Sequence, residues 1–181
     1  MTSLLVALSI AAPPRLTAAD LTPHVVGWAS KGDRVAYLTH VRAAEGDAEH
    51  LDRVRIDLVL VDVGRMATIG RVELGWARDE DGAPDDVATL RRQLDKARKA
   101  LRIGRYVKAA SAKEATLSVE SGHLVLVRGK RIQNPWLARP EGLDVLGVLD
   151  KSFAPGGRWL AAVVQLGGPE VFTLVVGPPA P

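Results

Sequence analysis

Apolar residues recur along most of this chain with a period of two, the pattern of strands that bury one face. Residues 24–28 and 34–41 predict a hairpin. Trp28 ends one apolar run, and Ser30, Lys31, Gly32 and Asp33 supply turn chemistry. Val35, Tyr37 and Thr39 then alternate along the second strand. Residues 55–63 predict a stronger strand: Ile56, Leu58, Leu60 and Asp62 share one face, and Asp57, Val59, Val61 and Val63 the other. Both faces are apolar in the middle, so this strand is expected to lie centrally in a sheet. Further strands are expected over 68–76, 143–149, 158–166 and 170–176, with a short one over 106–109. Residues 115–127 predict a second hairpin, about the two-residue turn Ser121-Gly122.

One stretch follows a different period. Val87, Leu90, Leu94, Ala97 and Leu101 recur at intervals of three and four, which predicts an amphipathic helix over about 85–103. Pro84 suits its start, Asp85 or Asp86 its cap, and Gly104 its end. Lys99, Arg102 and Arg105 would complement the negative end of the helix dipole. The expected class is therefore α+β: a mainly antiparallel β protein of about nine or ten strands with one long helix inserted mid-chain.

The first hairpin has a second copy. Residues 28–37 return 125 residues later as 153–162: Trp28 matches Phe153, Gly32 matches Gly157, Val35 matches Leu160 and Ala36 matches Ala161. The two ends are expected to lie side by side in one sheet. The shared pattern, an apolar residue, a turn with glycine and then an apolar strand, is followed in the first copy by Asp57-Leu-Val-Leu-Val-Asp62 and in the second by 171–176. It resembles the TolB-type propeller-blade repeat. Two copies are too few for a propeller, which needs at least about four blades. The order of elements as a whole resembles a family of bacterial proteins predicted to be secreted, with no assigned function. That resemblance implies export and a β-rich fold, and it carries over no catalytic residue.

The first residues bear on the same point. Leu4 to Ala12 form a short apolar run, well below the roughly 20 residues that span a bilayer. Small residues at Thr17-Ala18-Ala19 offer a cleavage site before Asp20, so residues 1–19 are expected to be a signal peptide. No Lys or Arg precedes the run, and a buried N-terminal strand or helix is the competing reading. The expected mature domain is 20–177, with a frayed tail at 178–181, working in the periplasm or outside the cell.

Composition narrows the chemistry. The 181 residues fit one domain, 47% are hydrophobic and only 4% aromatic, so the core must be built from Val, Leu, Ile and Ala. There is no cysteine, which excludes thiol catalysis, disulfides and cysteine-ligated zinc. The net charge of +3 is small and calls for no nucleic-acid partner. No Gly-x-Ser-x-Gly elbow or Walker loop is present.

No catalytic residue, metal ligand or cofactor is assigned. Asp79, Glu80, Asp81, Asp85 and Asp86 form an acidic loop whose oxygens suit Ca²⁺ but lack EF-hand spacing. His40 and His50, with Glu45 and Asp47, are the densest local group of potential ligands. Arg91, Arg92, Lys96, Arg98, Lys99 and Arg102 form a basic helix face, which is either a solvated surface or a contact for an anionic membrane or polyanion. Trp136, beside Pro135 in a loop, is a candidate exposed contact; the other tryptophans suit core or half-buried positions. The residues picked out for binding are therefore Trp136, His40, His50, Asp79 and Asp81. The leading expectation is a non-enzymatic exported binding module, its partner another envelope protein or a small ligand. A divalent-metal protein or hydrolase using the loop carboxylates and histidines is the alternative.

Overall fold

The computed structural model describes residues 21–42, 53–78, 86–108, 115–128, 131–133, 144–166 and 171–176. They form ten strands in three antiparallel sheets, with one α-helix. The first sheet has the order β1 (His24–Trp28), β2 (Arg34–Arg42), β3 (Arg53–Asp62), β4 (Ala67–Arg78). Helix α1 (Val87–Ala100) follows. A small sheet of β5 (Ala115–Glu120), β6 (His123–Arg128) and β7 (Arg131–Gln133) comes next. The chain closes with β8 (Val145–Phe153), β9 (Leu160–Leu166) and β10 (Val171–Val176), in which β9 is central. The mainly antiparallel α+β class read from the sequence is thus the class observed.

Strand β3 is central, as its two apolar faces require, with Ile56 to Val61 all buried. Ser121 and Gly122 both take positive φ, 50° and 73°, the geometry of a two-residue hairpin turn. The strand expected over 106–109 is a single bridge between Val107 and Trp28, which covers the edge of β1. Strand β8 runs on to Phe153, beyond the expected end at 149. β7 was not expected at all.

The 125-residue repeat is a repeat of backbone as well as sequence. In the first turn the Ala29 N–H donates to the Arg34 carbonyl at 3.0 Å and the Gly32 N–H to the Ala29 carbonyl at 2.8 Å. In the second, Ala154 donates to Trp159 at 2.9 Å and Gly157 to Ala154 at 2.8 Å. Gly32 and Gly157 take the same left-handed φ, 68° and 70°, a region that penalises any Cβ. Trp28 opposes Val35 as Phe153 opposes Leu160. The match extends into a third strand, where Val35 opposes Val61 and Leu160 opposes Val176.

The two copies do not share a sheet, contrary to the expectation above. They belong to separate sheets that pack face to face, because both faces of β2 and of β9 are apolar and each needs a cover. Val25, Trp28, Val35, Val59, Val61 and Val63 of the first copy meet Ala154, Ala161 and Val163 of the second. The packing is front to back. Val35 and Tyr37 face the second sheet, but the equivalents of those residues, Leu160 and Ala162, face away from the first. They pack instead, with Phe153, Val164 and Leu166, against Leu117, Leu124 and Leu126 of the small sheet. A heterologous contact of this kind leaves an uncovered back on the first member. Helix α1 fills that place: Leu90, Leu94 and Ala97 bury against Ala36, Leu38, Ile56, Leu58, Leu60 and Leu74. The layers run α1, β1–β4, β8–β10, β5–β7. Gly70 and Gly75 of β4 seat the helix, since a Cβ there would stand 2.7 Å from Leu101 and 2.6 Å from Leu90. The exposed end of the expected apolar stripe, Val87, takes no part in this core.

The helix starts at the expected cap. Asp86 Oδ1 accepts from the Ala88 and Thr89 amides at 2.9 and 3.0 Å. The Thr89 hydroxyl donates to Asp86 Oδ2 at 2.6 Å and, with these amides, holds that carboxyl below its ordinary value. The helix ends earlier than the expected residue 103, and Gly104 does not terminate it. The Ile103 N–H reaches back to the Arg98 carbonyl at 2.9 Å and the Arg102 N–H to the Lys99 carbonyl at 3.1 Å. This is a Schellman closure with Arg102, at φ 57°, in the left-handed position that usually holds glycine. Ile103 is fully buried, and seating it fixes where the chain must turn.

Candidate functional site

The end of α1 faces the first hairpin turn, and the two enclose an open cleft of about 560 Å³. Ala29 and Ser30 of the turn line one side, and Arg98, Lys99, Arg102, Gly104, Arg105 and Tyr106 the other. The sequence places the cations there by three local devices. Arg98 and Lys99 sit in the last helical turn, the left-handed Arg102 redirects the chain, and burial of Ile103 and the Val107–Trp28 bridge bring Arg105 and Tyr106 alongside β1. The half-buried Tyr106 hydroxyl is pushed above its ordinary value by burial, against the opposing pull of the nearby Arg34 guanidinium.

Four cations line this cleft and no acidic residue does. None of the four is ion-paired with a carboxylate among the described residues. The helix dipole supplies only about half an elementary negative charge at this end. That offsets a fraction of the local positive charge and leaves a concave surface suited to an anion. Two opposite unit charges about 4 Å apart attract by about 1 kcal/mol in water and about 4 kcal/mol at the lower effective dielectric near a protein surface, before desolvation is subtracted.

A second charged group has the opposite character. Asp57 is buried in β3 and is held by Arg55, whose Nε donates to Oδ1 at 3.0 Å and whose Nη2 donates to Oδ2 at 3.1 Å. Arg71 Nε donates to Oδ2 at 2.6 Å, and its Nη2 pairs with the same oxygen. Both carboxylate oxygens accept from guanidinium groups, so the group fastens β3 to β4. Asp150 is a further fastening. It accepts from Lys108 Nζ at 2.7 Å and from the Val25 N–H at 2.8 Å, joining the edge of β1 to β8.

Of the five residues picked out for binding from the sequence, only His40 falls in the described part. It is buried on the helix-facing side of β2, and its Nε2–H donates to the Leu21 carbonyl at 3.0 Å. Burial lowers its pKa against the smaller opposing effect of that bond, so it stays neutral. His40 is thus a satisfied core histidine rather than an exposed ligand. His50, Asp79, Asp81 and Trp136 lie outside the described residues, as do Glu45, Asp47, the signal segment 1–19 and the tail 178–181. Among the described residues no group of three His, Asp or Glu side chains stands close enough to hold a metal, and no helix is long and apolar enough to cross a membrane. Arg98, Lys99 and Arg102 were visible as basic residues, but Ser30 was legible only as turn chemistry and Tyr106 only as the start of a short strand. Their role depends on a bridge between residues far apart in the chain.

Fold and site together define a stacked three-sheet β protein, capped by a helix whose end forms a basic cleft. No family model matches the chain, and neither the curated proteins nor the solved structures contain a significant match to it.

Proposed function

We propose that this protein is a non-enzymatic binding module that takes a small anionic ligand in the cleft between α1 and the first hairpin turn. The observation that carries the reading is the convergence of Arg98, Lys99, Arg102 and Arg105 on one concavity with no acidic residue in its lining. A concave site favours a small ligand over a flat anionic membrane, which would instead meet the outward helix residues Arg92 and Lys96. The apolar run and small-residue cleavage site at 1–19 support action outside the cytoplasm.

Titration calorimetry of the full chain against phosphate, sulfate and citrate at low salt tests the ligand reading. Saturable binding that weakens with added salt and is lost in Arg98→Gln/Arg102→Gln is expected. Binding to anionic vesicles with no binding of small anions contradicts it. Fractionation of cells with mass measurement of the N-terminus tests export: a mature chain starting near Asp20 is expected, and an intact Met1 in the cytoplasm removes that part of the proposal.

A further inference from the structure

The cleft is larger and more highly charged than a single oxyanion requires. Resting on the anion-cleft reading above, we infer that its ligand carries two linked phosphate groups, as free pyrophosphate or as a diphosphate ester. Size is the first argument. About 560 Å³ lies within the range of roughly 300–1,000 Å³ typical of pockets for organic ligands. The second is donor capacity. A guanidinium fork engages two oxygens at once, so Arg98, Arg102 and Arg105 together can serve about six, with Lys99 in addition. A single phosphate group carries only about −1.5 to −2 at neutral pH, whereas two linked groups come closer to balancing four cations.

Spacing is the third argument. Arg98 lies in the last helical turn, Arg102 takes the left-handed position that ends the helix, and Arg105 follows only after the chain has turned. Charges spread along a path suit a chain of two phosphates better than one compact tetrahedron. Planar forks also favour phosphate and carboxylate over weaker acceptors. The uncharged wall of Ala29, Ser30 and half-buried Tyr106 leaves room for an ester group beside the phosphates.

The test is calorimetry on the full chain with orthophosphate, pyrophosphate, adenosine diphosphate and citrate under one buffer condition. Pyrophosphate is expected to bind at least about tenfold more tightly than orthophosphate and than citrate. Arg105→Gln should weaken pyrophosphate about tenfold and orthophosphate far less, while Arg92→Gln, whose side chain bonds Thr89 outside the cleft, should change neither. Tighter binding of the nucleotide than of pyrophosphate assigns the diphosphate ester, and equal or weaker binding assigns the free form. Pyrophosphate no tighter than orthophosphate or citrate overturns the diphosphate inference and leaves the anion cleft standing. No binding of any of the four overturns both. The ligand series on the unaltered protein decides the matter even if a variant fails to fold.

Discussion

The two copies of the hairpin share their turn bonds, their strand register and their left-handed glycine, yet they serve different ends. In the C-terminal copy, both faces of β9 are covered by sheets, and β8–β10 becomes an interior layer. In the N-terminal copy, the face equivalent to the one that β9 lays on its predecessor meets no other sheet among the described residues. A helix covers it, and where that helix ends against the turn a charged concavity appears. The lesson is that the repeat supplies a framework, and the candidate site arises where the stack stops repeating. Among the described residues a helix follows only the first copy, and the candidate cleft lies where that helix ends.

The sharpest way to break this comparison is to empty each copy of its large side chain. Trp28 and Phe153 are both buried and occupy matching positions. Trp28→Ala and Phe153→Ala should each cost about 3–5 kcal/mol in denaturant unfolding. A loss below about 1 kcal/mol for either would mean that its copy is not part of the core.

The turn glycines sharpen it further. A Cβ at Gly32 would stand 3.1 Å from the Ala154 Cβ, whereas one at Gly157 meets nothing within 4 Å. Both substitutions incur left-handed strain, so Gly157→Ala should cost about 1–2 kcal/mol, and Gly32→Ala about 1 kcal/mol more. Equal losses would contradict the contact between the first turn and the second copy.

Arg102 offers a smaller effect of opposite sign on stability and binding. Arg102→Gly relieves the left-handed residue and should raise stability by about 1 kcal/mol while weakening anion binding. A variant that is more stable and binds equally well would remove Arg102 from the site.

His40 gives the mildest effect. Its folded pKa lies below its ordinary value of 6.5, so the unfolded chain takes up the proton first as pH falls. Stability should be full above about pH 6.5 and decline below it, by at most about 1.4 kcal/mol per pH unit. Urea midpoints at pH 7.5 and 5.5 in the native chain and in His40→Gln would show whether removal of this histidine flattens the decline.

Much of the fold was legible in the sequence. The period of two located the strands, the stripe Leu90, Leu94 and Ala97 located the buried face of the helix, and the 125-residue match announced two copies of one backbone unit. The partition into sheets was not legible. Alternation tells which residues are apolar, but β2, β3 and β9 are apolar on both faces, so the pattern does not say what covers each side. The helix end was misread for a related reason: Gly104 looked like the stop, but burial of Ile103 sets the turn earlier and forces Arg102 into the glycine geometry. The basic residues of the site were likewise visible singly. Their convergence was not, because it depends on Val107 pairing with Trp28, a contact between residues far apart in sequence.

The most direct test is to map amide chemical shifts during titration of the full chain with pyrophosphate. The account predicts saturable shifts at Ala29, Ser30 and residues 98–106, with none at the matching second turn, residues 154–159. Shifts centred on the second turn, or none in either, would contradict it.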